Sequence, residues 1–441
     1  MDIIFGKQSE FIEELSNYTL KQQLFGDSVE DRFGQSVATS KDGKVLIMGG
    51  YRDDPNNIFD AGSAIVYTGN ATNGWFFKQL ISGDSEGDQF GNSVATNEDG
   101  TLLMVGGRLD DPNNVIDAGS VLIYTGNAID GWILKQRLTG EHPIDYFGKS
   151  VATSNDGTIL MVGASADDVI GSPITLIDVG SAFIYTGNLA NGWVLKQRLT
   201  GDSAADQFGT SVAMSTSGDI LIMGGFQDND GGTLAGAANI YTGNATNGWQ
   251  LRQKLLGDSE NDNFGTSVAA SADGNIIMMG GIGDDDGASN AGAAMVYTGN
   301  ATNGWQLRQK LLGDSVNDYF GTSVAMNEDG SVLIMGGTSD DDGGINAGAA
   351  LIYTGDAING WGIKQKITGN SASDFYGESV AINSNGTVLM MGGTRDDPYG
   401  ITNAGAALVY TNKIITSVPQ TDILFGLQST QSIDSGVIKF T

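Results

Sequence analysis

Residues 305–354 read WQLRQKLLGDSVNDYFGTSVAMNEDGSVLIMGGTSDDDGGINAGAALIYT, and the 441-residue chain repeats this stretch seven times with small changes. One Phe-Gly pair marks each copy, and successive pairs lie 56 to 61 residues apart. The pairs are Phe33-Gly34, Phe90-Gly91, Phe147-Gly148, Phe208-Gly209, Phe264-Gly265, Phe320-Gly321 and, with Tyr for Phe, Tyr376-Gly377. A period of this length indicates one repeat architecture rather than several unrelated domains.

Each copy contains four short runs rich in Val, Ile, Leu, Met and Tyr, bounded by Gly, Asn and Asp. In the second copy these runs are residues 76–81, 92–96, 102–107 and 120–125. Such runs are typical of strands. Four antiparallel strands repeated seven times predict an all-β fold, a seven-bladed β-propeller. The small residues of the Ser-Val-Ala run suit the innermost strand, and the run after each Trp, with Lys, Arg and Gln, suits an outermost edge.

The ends of the chain predict how the ring closes. Residues 18–22 (YTLKQ) align with the Trp-headed run WFFKQ at residues 75–79, yet they precede the first Phe-Gly pair. The seventh copy ends near Thr411 without a Trp-headed run of its own. We therefore expect Tyr18–Leu24 to be the outer strand of the last blade. The predicted divisions are an N-terminal arm with a short helix (1–17), the propeller (18–411) and a C-terminal tail (412–441).

The motif D-x-F-G-x-S-V-A, followed by a strand ending in Gly-Gly and by A-G-x-A-x-x-Y, resembles the FG-GAP repeat of integrin-α-type seven-bladed propellers. The resemblance covers roughly residues 18–411. In that family the first inter-strand loop usually carries a calcium-binding D-x-D-x-D-G pattern. Here the loops read SKDGK, NEDGT, SNDGT, STSGD, SADGN, NEDGS and NSNGT, too few acids for the oxygen ligands of calcium. We expect turn residues there instead of calcium sites.

Composition narrows the classes of partner. The net charge of −30 disfavours nucleic acid and anionic membranes and favours cations or basic proteins. The chain has no cysteine, and no signal peptide or apolar stretch long enough to span a membrane is visible. These features favour an intracellular or virion-associated protein over a secreted one, with no membrane insertion.

Most of the acids fall in two loop sets that a four-stranded meander places at one end of the propeller: the loops between blades, and the loops between second and third strands. Turn formation explains many of them, because Asp accepts bonds from local backbone N–H groups. We expect only Arg32, Arg52, Arg108 and Arg395 to oppose them. Two Asp clusters are candidate calcium ligands: Asp284, Asp285, Asp286, Asp340, Asp341 and Asp342.

The loops between second and third strands also differ from blade to blade. Blades one, two, three and seven carry apolar residues there, whereas blades four, five and six carry mainly Gly and Asp. An apolar sector rimmed by acids is typical of a protein contact site, unless the side chains fold back onto their own blades. The candidate contact residues are Ile58, Phe59, Val115, Ile116, Ile170, Ile174, Leu176, Tyr399 and Ile401.

The two ends of the chain share a motif. Residues 2–9 (DIIFGKQS) match residues 422–429 (DILFGLQS) at six of eight positions. The segments are either edge strands or one docking motif displayed twice, with Phe5 and Phe425 as the anchors.

Catalysis finds little support in the sequence. His142 is the only histidine, and no nucleophile elbow or phosphate-binding loop is present. We therefore expect a non-enzymatic scaffold for protein–protein interaction or assembly. The alternative is a carbohydrate-binding propeller that uses the Asn-Gly-Trp loops at Trp249 and Trp305. A glycosidase built on paired carboxylates comes third.

Overall fold

The computed structural model describes residues 13–169 and 176–416. Residues 17–412 form one compact unit, and the described residues 13–16 and 413–416 belong to a second one. In the second unit, β1 (Glu13–Leu15) pairs antiparallel with β30 (Ile414–Thr416). The short helix predicted within residues 1–17 included Glu13–Leu15, and for these three residues the prediction is wrong. Pairing with β30 outweighs the weak helix propensity of a short segment; the rest of that helix lies outside the described residues.

The larger unit begins with β2 (Thr19–Phe25). Blade one consists of β3 (Phe33–Thr39), β4 (Val45–Gly50), β5 (Ser63–Asn70) and β6 (Gly74–Ser82). Blade two consists of β7 (Phe90–Thr96), β8 (Leu102–Gly107), β9 (Ser120–Asn127) and β10 (Gly131–Thr139). Blade three consists of β11 (Phe147–Thr153), β12 (Ile159–Ala164), β13 (Ser181–Asn188) and β14 (Gly192–Thr200).

Blade four consists of β15 (Ser211–Met214), β16 (Ile220–Gly225), β17 (Ala237–Asn244) and β18 (Gly248–Leu256). Blade five consists of β19 (Phe264–Ala270), β20 (Ile276–Gly281), β21 (Ala293–Asn300) and β22 (Gly304–Leu312). Blade six consists of β23 (Phe320–Met326), β24 (Val332–Gly337), β25 (Ala349–Asp356) and β26 (Gly360–Thr368). Blade seven contains β27 (Tyr376–Ile382), β28 (Val388–Gly393) and β29 (Ala406–Thr411).

Each blade is a four-stranded antiparallel sheet, so the predicted seven-bladed propeller is confirmed. Three short 3-10 turns, Pro55–Asn57, Pro112–Asn114 and Pro398–Gly400, lie in the loops after β4, β8 and β28. Blade seven takes its outer strand from the N-terminal segment, because β2 pairs with β29 from Thr19 opposite Thr411 to Phe25 opposite Ala406. The predicted closure is therefore confirmed, with the strand one residue later than expected.

The apolar core lies between neighbouring blades. One cluster joins Ile47 and Val66 of blade one to Phe90, Val105 and Trp132 of blade two, and equivalent clusters recur around the ring. The Phe of each Phe-Gly pair is fully or almost fully buried. Burial of such side chains contributes most of the stability of a cysteine-free propeller.

The Gly of each Phe-Gly pair allows close approach of the next blade. Ser36 Oγ in blade one donates to the carbonyl oxygen of Gly91 in blade two at 2.8 Å. Gly91 has a φ of +87°, and a Cβ there would lie 2.1 Å from the Ser63 carbonyl oxygen, so no other residue fits. The equivalent Ser-to-Gly bonds, all at 2.8 Å, occur at every junction: from Ser93, Ser150, Ser211, Ser267, Ser323 and Ser379.

A second ring of contacts joins the outer strands. The Gln253 side chain donates to the Trp305 carbonyl oxygen and accepts from the Trp305 N–H, both at 2.8 Å. The same paired contact is made by Gln22, Gln79, Gln136, Gln197, Gln309 and Gln365. Gln365 bonds Tyr18, which stands in the place of Trp, and this contact closes the ring.

A third ring of contacts surrounds one end of the central channel. The turn after each inner strand donates one backbone N–H to the carbonyl of the same turn in the next blade, at 2.8 to 3.1 Å. The cycle runs through Lys41, Glu98, Asn155, Thr216, Ala272, Glu328 and Ser384 and returns to Lys41. The Lys41 Nζ adds ion pairs of 3.0 Å to Glu98 and to Glu328. These turns therefore act as a structural collar.

The outer-strand ring generates a prediction. Replacing Gln365 by Ala removes both bonds to Tyr18 and leaves part-buried backbone groups without partners, which costs about 1–3 kcal/mol of unfolding free energy. Chemical denaturation measures this change. Gln306→Ala is the matched control because Gln306 is an exposed outer-strand residue. Equal effects of the two substitutions would show that the closing contact contributes no particular stability.

Candidate binding face

The two acidic loop sets share one end of the propeller, as predicted. The loop before β7 bonds to the loop between β4 and β5, through Gly87 N–H to Phe59 O at 3.0 Å and Gln89 N–H to Asp60 O at 3.1 Å. We call this end the acidic face. It comprises the described parts of the loops between second and third strands (51–62, 108–119, 165–169 with 176–180, 226–236, 282–292, 338–348 and 394–405) and the loops before each inner strand (26–32, 83–89, 140–146, 201–210, 257–263, 313–319 and 369–375).

Every blade buries two aspartates at this face. One lies two residues before the Phe-Gly pair, and the other lies three residues after the second strand. The first aspartate caps its own loop. In blade two, for example, Asp88 Oδ2 accepts a hydrogen bond from the Ser85 N–H at 2.9 Å. These local bonds confirm the role of Asp as a turn residue. The pairs are Asp31 with Asp53, Asp88 with Asp110, Asp145 with Asp167, Asp206 with Asp228, Asp262 with Asp284, Asp318 with Asp340, and Asp374 with Asp396.

Cationic side chains from the outer strands balance these acids in blades two to six. In blade five the Lys310 Nζ lies 3.1 Å from Asp258 and 2.6 Å from Asp286, and it also contacts Asp284. Lys254 and Lys366 make the same contacts in blades four and six, and Arg137 and Arg198 pair with the acids of blades two and three. The expectation that only four arginines oppose the acids is therefore wrong, because outer-strand side chains reach across to the loops.

The same contacts describe the candidate calcium ligands. Lys310 contacts Asp284 and Asp286, and Lys366 contacts Asp340 and Asp342. Asp285 and Asp341 accept backbone N–H bonds within their own loops, from Asn290 and Asn346. Calcium binding by these residues stays a prediction; in the described structure their cationic neighbours are lysine side chains.

Blades one and seven lack the outer-strand cation, because Leu80 and Gln23 stand at the equivalent positions. In blade one, carboxylate oxygens of Asp27, Asp31 and Asp53 lie within 4.8 Å of one another, and no ion pair among the described residues involves them. The cluster is held by hydrogen bonds instead, since the Ser63 hydroxyl donates to Asp53. Blade one therefore keeps the least compensated acids of the face.

Burial shifts the titration of these acids. Burial, together with the neighbouring Asp110 carboxylate, raises the pKa of Asp88 to about 7. The pKa values of Asp31, Asp206, Asp262, Asp318 and Asp374 also rise to about 7 for the same two reasons, and that of Asp145 to about 6. For Lys310, burial acts to lower the pKa, but hydrogen bonds to Asp284, Asp286 and Asp258 outweigh it and raise the pKa.

An exchange between blades tests the balancing role of these cations. Lys310→Leu copies blade one into blade five and leaves buried carboxylates without their cation, which costs about 3 kcal/mol or more of unfolding free energy at pH 8. The reverse change, Leu80→Lys, supplies a cation to blade one and raises the unfolding free energy. Denaturant titration of both variants measures the effects. A loss of stability on Leu80→Lys would contradict the proposed charge balance.

The raised pKa values predict the pH dependence of stability. Their folded-state values lie near 7 and their usual value is 3.8, so the folded protein binds more protons than the unfolded chain between these limits. The stability they provide is full at about pH 4 and is lost as the pH rises through about 7. The melting temperature should therefore be higher at pH 5 than at pH 8.

Calorimetry on wild type and Asp88→Asn measures this dependence. Because the amide mimics a protonated carboxyl group, the variant should show a weaker rise in melting temperature between pH 8 and pH 5. A melting temperature that falls from pH 8 to pH 5 would refute the assignment of raised pKa values.

The candidate contact residues divide into two groups. In the first group, Ile58, Val115, Leu176 and Ile401 are half-buried. The second group is exposed: 60% for Phe59 and 63% for Ile116. Ile177, which was not among the predicted contact residues, is also 60% exposed. Tyr399 is 89% exposed, although its ring contacts Phe25 edge to face at 5.3 Å between centroids. Ile170, Ile174, Phe5 and Phe425 lie outside the described residues.

We call Phe59, Ile116, Ile177 and Tyr399 the apolar arc. They lie in loops of the acidic face on four consecutive blades, in the order seven, one, two and three. Sequence reasoning missed Ile345 of blade six, which is 70% exposed at the position equivalent to Phe59. The signal was present, because Ile345 aligns with Phe59 and Ile116 in the Gly-rich loop of its blade.

The Trp side chains are structural. Trp249 and Trp305 are each 1% exposed, and their Nε1 atoms donate to the carbonyl oxygens of Gly218 and Gly274 at 2.8 Å. Buried rings offer no face for stacking on a sugar. The only histidine, His142, places its Nδ1 3.5 Å from Asp145 Oδ2. Among the described residues, no helix is long and apolar enough to cross a membrane.

Comparison with protein families supports the fold assignment. The model for the FG-GAP repeat matches residues 249–297 and 305–353. The two matched spans include the Phe-Gly pairs of blades five and six. Each matched span starts at the Trp of one outer strand and ends at the Tyr in the third strand of the next blade, so the FG-GAP unit in sequence is offset by one strand from the blade in space. A comparison with curated protein sequences gives no significant match.

Proposed function

We propose that this FG-GAP propeller is a non-enzymatic scaffold that binds a protein partner through the acidic face, with the apolar arc at the centre of the contact. The observation that carries the proposal is the exposure of four large apolar side chains in equivalent loops of consecutive blades. Exposed apolar side chains grouped within a polar rim mark protein contact sites.

The charge of the face indicates the chemistry of the partner. Exposed carboxylates lie in the same loops as the apolar arc, including Asp54, Asp111 and Asp397. A partner with an apolar centre and a basic rim complements this surface. Such charge complementarity accelerates association and weakens as salt is added.

Two other functions find less support. A lectin that stacks sugars on Trp249 and Trp305 requires exposed rings, and these rings are buried. A glycosidase requires a carboxylate pair that substrate can reach. The paired aspartates are buried: Asp262 and Asp284, for example, are 2% and 1% exposed, and Asp284 contacts Lys310.

Photo-crosslinking in the native source tests the scaffold proposal. A photoreactive phenylalanine at position 59 or 399 should crosslink to one protein partner. The same residue at position 358 is the control, since Ile358 is 86% exposed in the turn between β25 and β26, at the opposite end of the propeller.

Substitution then measures the contribution of the arc. Phe59→Ser with Ile116→Ser should weaken binding of the crosslinked partner at least tenfold, while Ile129→Ser with Ile358→Ser, on the opposite end, should leave it unchanged. All four side chains are exposed, so folding should be preserved in both variants. Equal crosslinking from both ends, or unchanged affinity of the Phe59/Ile116 variant, would reject the proposal.

A further inference from the structure

The residue after each Phe-Gly or Tyr-Gly pair lines the central channel near the acidic face. These seven residues are Gln35, Asn92, Lys149, Thr210, Thr266, Thr322 and Glu378. The rest of the motif, Phe-Gly followed by Ser-Val-Ala, is nearly identical in every blade because it makes the contacts between blades. The residue at the channel position does not belong to this nearly identical set. Within the motif, it is the position at which the seven copies differ most in charge.

One side of this channel mouth forms a cavity of about 470 Å³. This volume lies within the range of small-molecule sites, about 300–1,000 Å³. Its apolar side chains are Ile144 and Tyr146 from the loop between blades two and three, Phe226 from blade four and Ile282 from blade five. Two cationic side chains, Arg108 and Lys149, line the same cavity. We call this space the mouth cavity.

The two cations of the mouth cavity are poorly compensated. Neither forms an ion pair with a carboxylate among the described residues, whereas Lys254, Lys310 and Lys366 each contact three. Arg108 reaches the Gln89 Oε1 atom at 3.3 and 3.4 Å. Asp178 contributes the one carboxylate of the described lining, so the cavity keeps a net positive charge within an otherwise acidic face.

The surroundings of Lys149 favour the binding of an anion. Burial and the nearby Arg108 lower the pKa of Lys149 to about 8, although Glu378 acts in the opposite direction. Glu378 is itself engaged with the Gln35 amide at 3.5 Å, and burial raises its pKa. Two like charges that share a partly buried wall are stabilised by a bound anion.

We propose that the mouth cavity binds a small carboxylate with an aromatic or branched apolar body. The carboxylate pairs with Arg108 and Lys149, and the body packs against Ile144, Tyr146, Phe226 and Ile282. An Arg guanidinium suits this role because it presents several donors to the two oxygens of a carboxylate. The cavity and the apolar arc share loops of the acidic face, but none of the four arc side chains lines the cavity, so carboxylate binding can be measured without the protein partner.

Substitutions that install the residue found at the same position of another blade test the proposal. Lys149→Thr installs the residue that blades four to six carry at this position, and Arg108→Ser installs the residue that blade three carries. Both variants should therefore fold. Lys78→Thr is the matched control for loss of a lysine, because Lys78 lies on an outer strand and bonds the Ile129 carbonyl oxygen.

The probes are 3-phenylpropionate and its neutral amide, 3-phenylpropanamide, measured by calorimetry and by saturation-transfer NMR. We expect the carboxylate to bind wild type and the Lys78 variant equally, and at least tenfold more weakly to either cavity variant. The amide should bind wild type at least tenfold more weakly than the carboxylate. Absence of carboxylate binding to wild type, equal binding of the amide, or unchanged binding in both cavity variants would overturn the proposal. Melting curves confirm that each variant is folded.

Discussion

The contact between the Ser of one inner strand and the Gly carbonyl of the next Phe-Gly pair is the constraint on which the propeller depends. It requires the two backbones to approach so closely that a Cβ at Gly91 would lie 2.1 Å from the Ser63 carbonyl oxygen. The buried Phe beside it fills the space between blades, and the outer Gln-to-Trp contacts hold the rim. Because every junction repeats these contacts, the ring is complete when Gln365 reaches Tyr18 and Ser379 reaches Gly34.

The acidic face follows from a second constraint. Loops that must turn sharply use Asp to cap backbone N–H groups, and the packing of those loops buries two carboxylates in every blade. Buried carboxylates need a counter-charge or a proton. Outer-strand lysines and arginines supply the counter-charge in blades two to six, and raised pKa values reflect the proton. The surface charge that a partner meets is therefore smaller than the acid content of the loops suggests.

The repeated framework was largely predictable, and the residues that differ between copies were less so. The spacing of the Phe-Gly pairs predicted the number of blades. The run that starts at Tyr18, before the first Phe-Gly pair, predicted the strand that closes the ring. Alignment could not show that Lys310 reaches Asp284, because the outer strand and the loop come together only in the folded blade. It also could not separate exposed Phe59 from half-buried Ile58, since both are apolar neighbours in one loop.

The amino-acid sequence is enough to set the architecture, because a strand pattern with a fixed period, Gly at the close approaches and one displaced outer strand allow a single closed ring. Tertiary structure alone decided which side chains share a site. Lys149 and Arg108 stand 41 positions apart in chain numbering and belong to different blades, yet both line the mouth cavity. The physical reason is that local spacing controls strands and turns, whereas convergence at the channel depends on how seven blades are arranged around one axis.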